Sequence, residues 1–233
     1  YNYSLEKIFI GPGSKELIFQ LVYLLEGPLI VPAPSWVSYG PQAKIRSKTF
    51  ITITTDIKNG YRLQAEELDK TCSGLESPQK ILILNNPSNP TGSVHTPDEL
   101  RALAEVCRKH GVIVISDEIY ALTNFGEIPF EGIARYYPKG TITTSGVSKA
   151  FSAGGWRLGF AMIPDELSEI KRPLSAFVSE TFSCVSAPIQ YAVLPGFKNY
   201  ESVRKHVELC SAIHGAAGKF LQQRFVEIGL NCP

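Results

Sequence analysis

The feature that most constrains this chain is an alternation that recurs along its length. Short runs rich in Ile and Val are separated by longer stretches with apolar residues at every third or fourth position. The runs predict strands at Lys7–Ile10, Gly27–Val31, Thr49–Ile53, Lys80–Leu84, Val112–Ser116, Thr141–Ser145 and Gly159–Ile163. The longer stretches predict helices at Lys15–Leu25, Ala65–Cys72, Pro97–His110, Asp165–Val178 and Tyr200–Ile228. Short strands alternating with helices make βαβ units, so an α/β fold with a mainly parallel sheet is expected.

Local signals sharpen two elements. Thr96-Pro97-Asp98-Glu99 supplies a cap, a proline suited to the first helical position and the acid of a capping box. Leu100, Leu103, Ala104 and Cys107 then share a face, and Gly111 follows the last turn, where a left-handed residue is wanted. The next run, Val112 to Ser116, is apolar enough for a central strand and ends in Asp117-Glu118. That is the carboxyl end of the strand, where α/β folds place ligand chemistry. Pro173 is expected to kink the Asp165–Val178 helix.

The 233 residues suit one large domain, or a domain with a piece of another. With 44% hydrophobic and 19% charged residues the composition is that of an ordinary globular protein. A formal net charge of +1 gives no electrostatic case for nucleic acid or an anionic membrane as partner. Cys72, Cys107, Cys184, Cys210 and Cys232 form no CxxC pair, which suits reduced thiols in a cytoplasmic protein. His95, His110, His206 and His214 form no metal-binding pattern, so no metal is expected. No signal peptide and no long uncharged apolar stretch is evident. The chain is apolar by Ile8-Phe9-Ile10 and stops at Leu230-Asn231-Cys232-Pro233, just past a helical pattern, so a fragment is expected.

Four segments carry chemistry. Gly11-Pro12-Gly13-Ser14-Lys15 lies between a strand and a helix, and a small-residue turn at a helix N-terminus suits a phosphate. A plain strand-to-helix turn is the bland reading of it. Asn85-Asn86-Pro87-Ser88-Asn89-Pro90-Thr91-Gly92 holds two X-Pro units, a rigid backbone able to aim an amide into a site or simply to turn the chain. Ser116-Asp117-Glu118-Ile119-Tyr120 puts a carboxylate and a phenol at a strand end, where a helix cap is the ordinary alternative. In Ser145-Gly146-Val147-Ser148-Lys149-Ala150-Phe151, a lysine in a small-residue turn is placed as an amine nucleophile, given burial or nearby cations to keep some of it neutral. Arg157, within Gly154-Gly155-Trp156-Arg157-Leu158-Gly159, offers a planar fork for a phosphate.

The set NPSNPTG, SDEIY and SGVSKAF…GGWRLGF resembles class I aminotransferases of pyridoxal-phosphate fold type I, in their aspartate-aminotransferase-like branch. The resemblance runs from about Lys7 to the end. It implies a three-layer α/β/α domain with a mainly parallel, roughly seven-stranded sheet. Residues 1–195 would form the cofactor-binding large domain, and 196–233 a long helix leading to a small domain that this chain lacks. Lys149 would carry pyridoxal 5'-phosphate as a Schiff base and serve as base and acid. Asp117 would pair with the ring nitrogen. Tyr120 and Asn89 would bond the ring's phenolic oxygen, with Asn89 also touching the substrate carboxylate. Gly13, Ser14, Lys15 and Arg157 would hold the phosphate. Trp36, in Pro34-Ser35-Trp36-Val37-Ser38-Tyr39, would stack on the ring and border the substrate, although beside a proline turn it also reads as a core aromatic.

One position departs from the pattern. Many relatives carry Ser or Thr three residues before the lysine, where this chain has Gly146, and Ser145 or Ser148 is the candidate to compensate. The resemblance also implies an arginine for the substrate α-carboxylate beyond this chain's end and a partner-donated tyrosine upstream of Tyr1. It implies a homodimer that packs near Ser179–Pro188. The activity implied is amino transfer between an amino acid and a 2-oxo acid. Carbon–sulfur lyases, decarboxylases and cyclopropane-forming synthases share the cofactor residues, and some transcription regulators carry such a domain as a ligand sensor. A chain that binds cofactor without turnover is a third reading.

Overall fold

The computed structural model describes residues 3–230. Seven strands are present: β1 (Ile8–Gly11), β2 (Leu29–Ala33), β3 (Phe50–Thr54), β4 (Lys80–Asn85), β5 (Val112–Asp117), β6 (Thr141–Gly146) and β7 (Gly159–Met162). The α-helices are α1 (Ser14–Leu24), α2 (Tyr39–Ile45), α3 (Ala65–Ser73), α4 (Pro97–His110), α5 (Lys171–Thr181), α6 (Ala187–Lys198) and α7 (Tyr200–Glu227). The strands form one sheet in the order β1-β7-β6-β5-β4-β2-β3. All its pairings are parallel except those of β7, which runs antiparallel to both β1 and β6.

Strand pleating explains the three layers. Successive residues of β2, β4 and β5 point to opposite faces. Leu29, Val31, Ile81, Ile83, Ile113 and Ile115 pack with Leu17, Ile18 and Leu21 of α1 and Leu174 of α5. Ile30, Leu82, Leu84, Val112 and Val114 pack on the other face with Leu68 of α3 and with Leu100, Leu103 and Cys107 of α4. Both faces are covered, which is why β4 and β5 read as nearly continuous apolar runs rather than alternating ones. A third cluster of Val147, Ala153, Leu158, Val185 and Val193 underlies the loop that carries Lys149.

The helix over Pro97–His110 forms with its cap complete: Thr96 accepts from Glu99 N–H, Glu99 reaches back to Thr96 N–H, and Gly111 is left-handed at φ 61°. The Asp165–Val178 expectation is corrected. Asp165–Ile170 is a 3-10 segment with non-helical backbone at Leu167, and the α-helix begins only at Lys171. Pro173 therefore sits in the first turn of α5, where its missing N–H costs no hydrogen bond, and it kinks nothing. Helices α2 and α6 form where none was expected. Among the described residues Cys72, Cys107, Cys184 and Cys210 are all free thiols, and Cys232 lies outside those residues. No helix of the described residues is long and apolar enough to cross a membrane.

Candidate active site

The carboxyl ends of β4, β5 and β6, and the entrance to the reversed strand β7, meet at one edge of the sheet. A cleft of about 350 Å³ opens there. Gly13, Ser14, Lys15, Trp36, Asn89, Asp117, Tyr120, Ser148, Lys149 and Arg157 all line it. The four segments singled out in the sequence thus converge, although they span positions 13 to 157.

Asp117 ends β5 and is 3% exposed. Its Oδ2 accepts the Tyr39 hydroxyl at 2.7 Å, and its Oδ1 accepts Ile119 N–H at 3.4 Å. Among the described residues no cation stands within ion-pair distance of it. Burial pushes its pKa up to about 6, against the opposing pull of these two donors. A buried carboxylate with unused acceptor capacity at the floor of a cleft is suited to a cationic ring nitrogen.

The next strand fixes the asparagine loop. Asn85 donates Nδ2–H to the Asp117 carbonyl at 2.9 Å and accepts Asn89 N–H at 2.7 Å. Asn86 ties the loop's far end: its Oδ1 accepts His95 N–H at 3.0 Å, and its Nδ2 donates to the Glu131 carbonyl at 3.0 Å. Peptides Asn86–Pro87 and Asn89–Pro90 are both cis. With its backbone held by Asn85, Asn89 points Nδ2 at the Tyr120 hydroxyl, 3.4 Å away. Asn89 and Tyr120 therefore present amide and phenol side by side, a pair of partners for one oxygen.

The phosphate end is built differently. Helix α1 starts after Gly13 with no side-chain cap, so its first N–H groups and its positive end face the cleft. Arg157 donates Nη1–H to the Gly154 carbonyl at 2.7 Å and Nη2–H to the Pro12 carbonyl at 2.8 Å, which ties the two loops together. The fork has five N–H donors, so further ones remain for a bound anion. Two glycines make this closeness possible. A Cβ on Gly159 would lie 2.4 Å from Ser14 N and 2.5 Å from Gly13 C, both backbone atoms. A Cβ on Gly146 would meet the Leu158 carbonyl oxygen at 2.8 Å and Gly159 Cα at 2.9 Å. In this structure a side chain at position 146 would therefore meet the backbone of Leu158 and Gly159. Of the two candidate serines, Ser148 lines the cleft, whereas Ser145 donates its hydroxyl to the Glu118 carbonyl at 3.2 Å.

Lys149 is exposed in the cleft. Its Nζ lies 5.5 Å from the centre of the Tyr120 ring. Lys15 places its ammonium 4.9 Å from the Trp36 ring centre, so in this structure it rests on that ring's face. Trp36 is half-buried and meets Tyr39 edge to face, with centroids 5.3 Å apart. Tyr39 and Asn85 were missed as site residues by sequence reasoning. Tyr39 stood in the quoted Trp36 segment, but nothing local linked it to a carboxylate far along the chain. Among the described residues no cluster of His, Cys, Asp or Glu could hold a metal ion.

These donors fit pyridoxal phosphate. An uncapped helix start, two serines and a guanidinium suit its phosphate, a buried unneutralised carboxylate suits its ring nitrogen, and an accessible amine suits its aldehyde.

Comparison with known proteins gives the same family from three directions. A family model described as aminotransferase class I and II matches residues 2–233. An aspartate aminotransferase of Geobacillus stearothermophilus is 33% identical over 202 residues, covering 84% of this chain and 50% of that protein. An asparagine–oxo-acid transaminase of Streptococcus mutans is 33% identical over 208 residues, covering 83% of this chain and 50% of that one. The solved aspartate aminotransferase of Thermus thermophilus with maleate superposes with a TM-score of 0.89 at 28% identity, covering 97% of this chain and 58% of that one. The chain spans about half the length of the curated relatives it matches. With a match across nearly its whole length and the same sheet, the chain belongs to the class I and II aminotransferase family.

Proposed function

We propose that this chain is the cofactor-binding part of a pyridoxal-phosphate-dependent aminotransferase, which moves an amino group between an amino acid and a 2-oxo acid. Members of the family depend on pyridoxal phosphate. The observation that carries the reading is the convergence of Lys149, Asp117, Tyr120, Asn89 and Arg157 on one cleft.

When bound, pyridoxal phosphate supplies an electron sink for the electron pair left at the amino acid's Cα. The cofactor-side roles fall to the chain's own residues. The Lys149 amine would hold the cofactor at rest and, once the substrate's amino group has displaced it and freed Nζ, would take up the Cα proton there. Asp117, as the anion, keeps the ring nitrogen protonated. Tyr120 and Asn89 bond the ring's phenolic oxygen, and Asn89 also reaches the substrate carboxylate. Gly13, Ser14, Lys15, Ser148 and Arg157 hold the phosphate, and Trp36 keeps water from one face of the ring.

We read residues 1–195 as the cofactor-binding domain, a reading supported by a sheet and cleft that lie wholly within them. Residues 196–233 then lead onward through α7. The relatives' names include both aspartate and asparagine as donors, so the substrate class proposed is an α-amino acid without further restriction. A homodimer and a cytoplasmic location complete the proposal, with neither nucleic acid nor membrane as partner. The free thiols and the near-neutral charge support it.

The test is an absorbance spectrum with added pyridoxal phosphate, for the parent and for Lys149→Ala, followed by addition of amino acids. The expected outcome is a cofactor band in the parent, absent in Lys149→Ala, that an amino acid displaces. A Lys149-dependent band that no amino acid moves would reduce the reading to cofactor binding alone. Absence of any band in the parent would sink it.

A further inference from the structure

Tyr39 opens α2 and is 1% exposed, yet it points its one polar atom at the cleft's buried carboxylate. Its ring packs in the core beneath α1 and edge-on against Trp36. Its hydroxyl donates to Asp117 Oδ2 at 2.7 Å across a sequence gap of 78 residues. A phenol has one proton to give, and this geometry commits it to Asp117. The remaining donor to the carboxylate, Ile119 N–H, is longer at 3.4 Å.

We propose that Tyr39 is a positioning residue for the ring-nitrogen subsite: its hydroxyl, fixed by packing from α2, holds Asp117 aimed and ionised for a cationic ring. The proposal rests on the cofactor reading above for its purpose, and on the hydrogen bond alone for its effect on Asp117.

Two opposed influences act on Asp117. Desolvation favours the neutral acid, and a short bond from a neutral donor favours the anion. Burial and the neighbouring carboxylate also raise Tyr39's own pKa well above its ordinary value, so its proton stays in place throughout the neutral range. The other charged or titratable groups bordering the cleft around Asp117 are Lys15 at the start of α1, Tyr120 after β5, Lys149 after β6 and Arg157 before β7. Glu118, next in the chain, accepts the Ser116 hydroxyl at 2.9 Å. Of these, only Tyr39 donates a side-chain hydrogen bond to the Asp117 carboxylate.

Tyr39→Phe removes this oxygen and keeps the ring that braces Trp36. The first measurement uses cofactor-free protein with ¹³C-labelled aspartate carboxyls, the Asp117 signal being assigned by its loss in Asp117→Asn. A hydrogen bond to a charged group corresponds to about one to two pH units, so the Asp117 midpoint in Tyr39→Phe is expected to rise by that much. The second is the affinity for pyridoxal phosphate against pH. With a midpoint starting near 6, the same rise predicts a loss of about two- to tenfold at pH 7 that recovers as the pH is raised. In an Asp117→Asn background, Tyr39→Phe should leave the pH profile unchanged. An unmoved Asp117 midpoint in folded Tyr39→Phe, or an equal affinity loss at every pH, would overturn the proposal, since a merely structural tyrosine would lower stability and leave the titration alone. If the parent binds no pyridoxal phosphate while the Asp117 midpoint still shifts, the cofactor reading fails and the Tyr39–Asp117 coupling stands.

Discussion

Two buried residues, Asp117 in the cleft and His95 at the end of the asparagine loop, titrate in opposite senses. His95 accepts Leu63 N–H at Nε2, 3.1 Å, and burial lowers its pKa from 6.5 to about 4. Between those values the unfolded chain binds a proton that the fold excludes, so stability is lost as the pH falls through that window. Asp117 moves from 3.8 to about 6, chiefly by burial. Between those values the fold retains a proton that the unfolded chain releases, so stability is lost as the pH rises. Each effect alone is on the order of 3 kcal/mol, and over the shared range they nearly cancel. Urea unfolding at a series of pH values is expected to show this. Asp117→Asn should unmask a loss of stability from pH 6 down to pH 4, and His95→Gln should unmask the reverse. Parallel curves for the two variants would contradict the assignment. Asp117 itself was legible in the sequence, because an acid at the end of an apolar strand is a local pattern. Its coupling to Tyr39 was not, because that bond joins side chains brought together only by the packed sheet.

At the scale of elements, the reversed strand β7 carries the phosphate end of the site. Gly11, Gly159 and Gly146 stand in one row across β1, β7 and β6. This row lets the Pro12–Ser14 loop lie directly on the sheet. Gly159→Ala would drive a methyl group against backbone atoms that cannot rotate away. It is expected to cost about 1–3 kcal/mol in thermal or urea unfolding. It should also weaken pyridoxal phosphate binding, whereas Gly74→Ala, whose added carbon would make only ordinary contacts at 3.7 Å far from the cleft, should leave binding far less affected. The strands were readable because branched apolar runs announce them, and α4 because its cap is spelled out in Thr96 to Glu99. Helices α2 and α6 were hidden by their own composition. Gly40 and Pro41 in α2, and Pro188, Pro195 and Gly196 in α6, are residues that locally signal turns, and packing overrode that signal. The seven-strand count held, while the break at Leu167 was invisible, since residues 165–178 are helix-compatible in periodicity.

At the scale of the molecule, apolar side chains stand exposed along α6 and α7. Tyr191 is 74% exposed, Phe220 63% and Leu209 62%. A soluble monomer rarely presents so many on adjoining elements, so we expect light scattering to give a dimer mass rather than 25.6 kDa. Monomeric protein with cofactor fully bound would count against a site shared between subunits.

The sheet order also governs the timing of assembly. Among the described residues strand β1 pairs only with β7, Ile8 with Met162 and Gly11 with Gly159. At a ribosomal pace of about 5–20 residues per second, the first strand waits roughly 8–30 s for its partner to be made. Until then α1 can settle only on the strands already made, while the Gly13–Ser14 turn at its start lacks its β7 neighbour Gly159 and the anion cradle lacks Arg157. The chain thus postpones its ability to grip a phosphate until the far side of the sheet has been synthesised, making that grip a late signal that folding of this edge is complete.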